Sequence, residues 1–166
     1  MMTQENRRLT IVWGVILSFI AILGIDFLFH AGIFVRIYEN PQPPLLSNQE
    51  AFYRIPLGYL SFLMLDLFLF WLIIKFNYKD YIEGLKFGLL YGITLTSGFL
   101  IGLYSIIDVQ VSLIFAWFVS QVTESGVAGM ILASINSGTS VKKIAQYVFS
   151  SFISCLVLGI ILQNLL

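Results

Sequence analysis

Five stretches of this sequence are long and apolar enough to cross a lipid bilayer, and very little chain lies between them. A bilayer core asks for about 20 apolar residues per helix. Such runs occupy about 9–35, 52–74, 82–107, 109–135 and 144–165. Apolar residues make up 58% of the 166 and charged ones 11%, against roughly 45–50% and 25% in soluble domains. Mean hydropathy is +0.91. A soluble fold of this size cannot bury so much apolar surface, because much of any small fold stays exposed. The sequence therefore predicts an all-α integral membrane bundle of five transmembrane helices in one domain, 1–166, surrounded by lipid. The single cysteine, Cys155, excludes a disulfide scaffold, and nine basic residues against nine acidic ones exclude a nucleic-acid binder.

The first run exceeds the 7–15 apolar residues of a signal peptide and no small-residue cleavage site follows, so it is expected to remain as a helix. Only a tight turn at 105–110 can separate the third and fourth runs. Arg7, Arg8, Lys75, Lys79, Lys86, Lys142 and Lys143 then share one side of the membrane, leaving Arg36 and Arg54 on the other. In loops this short the basic side is cytoplasmic, which predicts a cell (inner) membrane protein with its N-terminus inside and its C-terminus outside. A cysteine placed at Gln42 in a Cys155→Ser background should react with an impermeant thiol reagent on intact cells, and one at Asn77 should not. The opposite labelling would overturn the orientation.

The loop over 36–51 carries Pro41, Pro43 and Pro44, and proline restrains both itself and the residue before it. It reads as a stiff outer connector, with a docking surface or lid as the alternative. Pro56 is expected in the first turn of the second span, where its missing N–H costs little. The third span is marked by Gly84, Gly88 and Gly92, then Gly98 and Gly102, all within an arc of roughly 120° at 100° per residue. Lipid offers no hydrophobic drive for helix association, so small residues supply close packing. This span is expected to be the central helix, with a homodimer seam as the alternative.

Ionisable residues inside a membrane are costly and normally mark function. Asp26 and His30, four apart, share a helix face. Counting from Leu9 puts Asp26 roughly 25 Å up, near the outer boundary, where Arg36 and Asp108 could join it and His30 in one polar cluster. One histidine with two carboxylates meets the minimum chemistry of a metal site, but an ion pair accounts for the same residues, so no metal and no cofactor is expected. Asp66 falls roughly 12 Å from the inner end of its span and Glu124 near mid-membrane. With no lysine or arginine at their depth, each must be neutral, hydrogen-bonded or wet. Gln121 and Trp117 share the face of Glu124, and Asp66, Thr94 or Ser97 should provide its partner across the seam.

Gly24-Ile25-Asp26 with Tyr38, Gly88-Leu89-Leu90-Tyr91-Gly92, and Trp117 with Glu124-Ser125-Gly126 form a pattern that resembles several small bacterial polytopic membrane-protein families of unknown function. These share an acid late in helix one, a Gly/Tyr-rich middle helix and an acid shortly before a glycine in a late helix. The likeness covers most of 20–135 and departs at the proline-rich loop and His30. It implies a polytopic bundle and no particular substrate. Lipoprotein signal peptidases, another small helical family with two membrane aspartates, carry Asn- and Asp-rich motifs that are absent here. The sequence thus points first to a small transport, channel or ligand-binding bundle using Glu124, Asp66, Gln121, Asp26 and His30. A structural or accessory subunit, packing by its glycine face against a membrane partner or a second copy, is the alternative. An intramembrane enzyme ranks third, because no nucleophile–base pair or metal motif is visible.

Overall fold

A computed structural model describes residues 4–39 and 45–165. Those residues form helices and no strands: α1 (Gln4–Phe27), a π-helical turn (Leu28–Ile33), the short α2 (Val35–Glu39), and then α3 (Asn48–Lys75), α4 (Tyr81–Tyr104), α5 (Val111–Asn136) and α6 (Val141–Leu165). Five segments are long and apolar enough to span a membrane: Thr10–Ile33, Gln49–Lys75, Tyr81–Tyr104, Val111–Asn136 and Val141–Leu165. The protein is an all-helical, multi-pass membrane bundle. The prolines and glutamine at 41–44 lie outside the described residues.

Local sequence explains the helix ends. Ser47 and Glu50 form a reciprocal capping box at the start of α3. Because that helix begins at Asn48, Pro56 sits inside it rather than in its first turn, which corrects the expected position. Asp80 caps α4 by accepting the backbone N–H groups of Ile82 and Glu83 at 2.8 and 3.1 Å. Asn77, with φ 57°, turns the chain between α3 and α4, and Gly138, with φ 88°, does so after α5. At this end of the bundle Lys75 lies over the Trp71 ring, 4.6 Å from its centroid, and Tyr78 packs on Phe87. Residues 105–110 do separate α4 from α5.

The hub is α5 with α1, not the glycine-rich α4. Helix α5 packs against α4, α1 and α3, while α6 leans chiefly on α1 and α4 touches little besides α5. Gly84, Gly88 and Gly92 press against the backbone of Val122, Ser125, Gly126 and Gly129. The buried positions of α4 continue through Thr96 and Leu100, always four residues on. A four-residue ridge advances about 40° around the helix per step, so it walks away from Gly98 and Gly102. A Cβ added at either of those two would meet nothing within 4 Å. The shared arc of five glycines is therefore a packing seam only over its first three. A second close approach, which no spacing in the sequence signals, joins the π-helical turn to α6: a Cβ on Gly32 would come 2.9 Å from the Cα of Gly159.

Two apolar clusters fill the bundle. Ile22, Leu69, Ile73, Tyr91, Ala128, Leu132 and Ala133 join α1, α3, α4 and α5, while Leu17, Ala21, Ile131, Ile135, Ile144 and Val148 join α1, α5 and α6. The polar site lies beyond the first cluster, toward the π-helical turn.

Candidate functional site

The helix of the first span does not stop near Asp26. The N–H of Phe34 reaches the carbonyl of Phe29 at 2.7 Å, one residue further back than an α-helix allows, and the span runs on to Ile33. A π turn inserts one residue into the ladder and re-aims the side chains after it; such turns often mark functional sites. Here it carries His30 and returns Tyr38 of α2 over the imidazole, with Oη 2.8 Å from Nδ1. The indole N–H of Trp117, from α5, donates to Tyr38. Burial, with the Asp26 carboxylate nearby, holds the Tyr38 phenol above its ordinary pKa, so its proton is retained at neutral pH.

On the other side of the ring, His30 Nε2 lies 3.4 Å from Asp26 Oδ1. Glu124 completes the group: one donor atom each from Asp26, His30 and Glu124 lies within 4.8 Å of the others. Glu124 is 2% exposed. Gln121 Nε2 donates to its Oε2 at 2.6 Å, while Oε1 is buried without a hydrogen-bond partner. The expected pairing of Asp26 with His30 is present, and the further carboxylate that joins it is Glu124 rather than Asp108. Asp26 meets Glu124 because its span continues two turns beyond it, whereas Asp108 is exposed and does not belong to the group.

Asp66 has a different partner from the one expected. Ser18 of α1 donates to its Oδ2 at 2.7 Å, and Oδ1 is buried without a partner. Asp66 and Glu124 do border one small cavity of about 20 Å³, with Gln121, Tyr91 and Ser125 also on its wall, room for a single water molecule. Thr94 is exposed and bonds back to Leu90 of its own helix at 2.8 Å, so it is no partner for Glu124. Ser97 lines a separate apolar cleft between the far ends of α4 and α5.

A larger cavity of about 490 Å³ reaches His30 from the side of the bundle. Ser61, Phe62 and Leu65 of α3 form one wall, and Leu95, Thr96 and Phe99 of α4 the facing one. Trp117, Gln121 and Ser125 of α5 lie between them. Since α3 and α4 scarcely touch, the cavity is a lateral cleft, with Leu95 41% and Phe99 66% exposed at its mouth. Tyr91 pins its inner end by donating to the carbonyl of Leu65 at 3.0 Å.

Fold and site together define a multi-pass helical membrane protein with a polar centre buried among its spans. No protein-family model matches the chain, and neither does any curated protein or solved structure.

Proposed function

We propose that the protein is a ligand-binding bundle that takes a small amphiphile from the bilayer into the cleft between α3 and α4. The observation that carries this reading is the cleft itself: apolar walls leading to His30, Gln121 and Trp117. Ligand sites are typically cavities of about 300–1,000 Å³, mostly apolar with a few polar groups that orient the guest. An acyl or isoprenoid body would lie along Phe62, Leu65 and Phe99, with its polar head toward His30. A lateral mouth suits a guest already dissolved in lipid, and binding at that depth is the step from which transport across the membrane would proceed. The basic residues gathered at one end of the bundle support a cytoplasmic N-terminus in a cell membrane. The resemblance to small bacterial membrane proteins agrees with that location.

Trp117 reports on occupancy. In a Trp13→Phe, Trp71→Phe background a brominated fatty acid added to nanodiscs should quench Trp117 saturably, at about one equivalent, and Ser61→Phe at the exposed wall should remove the saturable part. Quenching that rises without saturation, or is unchanged in Ser61→Phe, would refute a built cleft.

A further inference from the structure

We propose that Asp26, His30 and Glu124 bind one divalent first-row transition cation of the zinc class. The inference rests on the amphiphile-binding proposal only in that the cation would sit where the cleft reaches His30.

The donor set is the first argument. One imidazole and two carboxylates suit zinc and its neighbours, whereas calcium and magnesium prefer oxygen alone and copper(I) prefers sulfur. Geometry is the second. Two atoms each 2.0–2.1 Å from a zinc ion, at a tetrahedral angle, stand about 3.3–3.4 Å apart; His30 Nε2 and Asp26 Oδ1 are 3.4 Å apart. That is longer than a well-formed N–H···O hydrogen bond. All three donor atoms fall within 4.8 Å of one another, so a side-chain adjustment of ~1 Å by Glu124 would close the set at zinc distances.

The surroundings supply the third argument. A ligating histidine nearly always has its other nitrogen held by a hydrogen bond, and a ligating carboxylate is held likewise. Tyr38, itself bonded by Trp117, holds His30 Nδ1, and Gln121 holds Glu124 Oε2. That leaves His30 Nε2, the Asp26 carboxylate and the unpartnered Glu124 Oε1 for a cation. With the cation bound, the Nδ1 proton is donated to Tyr38 Oη and Nε2 presents its lone pair to the metal. Charge is the fourth argument. Every lysine and arginine within the spans (Arg54, Lys75, Lys86, Lys142 and Lys143) lies in the first two turns or at the last residue. A divalent cation would cancel two ionised carboxylates that lie among the spans. Three protein ligands leave a fourth position, and the cleft that reaches His30 and Gln121 has room for its water.

The test uses the full chain in nanodiscs, stripped with a chelator and titrated with Co²⁺, with zinc content measured after Zn²⁺ loading and gel filtration. One equivalent of zinc per chain and visible Co²⁺ bands of a nitrogen–oxygen site are expected. Glu124→Gln and Asp26→Asn should each weaken Co²⁺ binding by about 100-fold or more. Tyr38→Phe, which touches no donor atom of the set, should weaken it by about 10–100-fold in a chain that elutes and melts like the original. Asp66→Asn should change nothing. Substoichiometric zinc, absent Co²⁺ bands, or Co²⁺ binding equal in the original and Glu124→Gln would overturn the site. Ser61→Phe separates the two proposals: it should block the brominated fatty acid while leaving the Co²⁺ bands, so either can fail alone.

Discussion

Replacing Gly88 with alanine is expected to lower the stability of the bundle by about 3 kcal/mol or more, and Gly98→Ala by nothing measurable. A Cβ on Gly88 would run into the carbonyl oxygen of Ser125 and stand 3.0 Å from the Cα of Gly126. Both are backbone atoms of α5, so no rotamer change relieves the contact. Overpacking usually costs about 1–3 kcal/mol because side chains can shift; here two helix axes must part, and with them the seam over Gly84 and Gly92. Gly98 carries the same residue type in the same helix but faces open space, so alanine there only exchanges one helix-compatible residue for a better one. Thermal unfolding of the detergent-solubilised variants, with the yield of folded protein in membranes, measures the contrast. Equal behaviour of the two variants would mean that α4 does not pack on α5 through this ridge.

The same two glycines mark the limit of what a sequence pattern can specify. The five spans are legible because lipid imposes a length and a composition that no short-range detail can disguise. The face on which Gly84, Gly88 and Gly92 lie is legible from a four-residue spacing. Which way that ridge continues depends on the crossing direction of α4 and α5, a property of two helices together, and so spacing alone groups Gly98 and Gly102 with the wrong set. The site behaves similarly. Asp26, His30, Gln121 and Glu124 each stand out as polar residues in apolar runs. Their meeting depends on the π turn at Leu28–Ile33, and nothing in Leu-Phe-His-Ala-Gly-Ile specifies one. Counting α-helical rise from Leu9 puts Asp26 near the membrane boundary and leaves Glu124 to Asp66, Thr94 or Ser97. Ser18 gives no signal of its own, since a serine in a membrane helix commonly bonds its own backbone, and the Gly14 and Val15 carbonyls do lie 3.0 and 3.1 Å from its Oγ.

Ser18→Ala is the second substitution with a large expected effect, and it assigns Asp66 its role. Asp66 is 2% exposed and Ser18 is fully buried, and their hydrogen bond ties α3 to α1. Alanine at 18 leaves Asp66 with both oxygens unpartnered, since Oδ1 already has none. A buried polar group deprived of its partner costs about 1–3 kcal/mol. Removing both polar partners is far cheaper than removing one. The double variant Ser18→Ala, Asp66→Leu should therefore recover most of that loss, with the leucine extending into the small cavity that Leu65 and Leu69 also border. A double-mutant cycle on thermal stability should then give a coupling within the roughly 0.5–3 kcal/mol typical of touching residues. The same double variant should keep saturable quenching of Trp117 and bind Co²⁺ as before, because Asp66 contributes to neither the cleft wall nor the triad. A stable double variant that loses either property would instead make Asp66 part of the binding site, acting through the cavity it shares with Glu124.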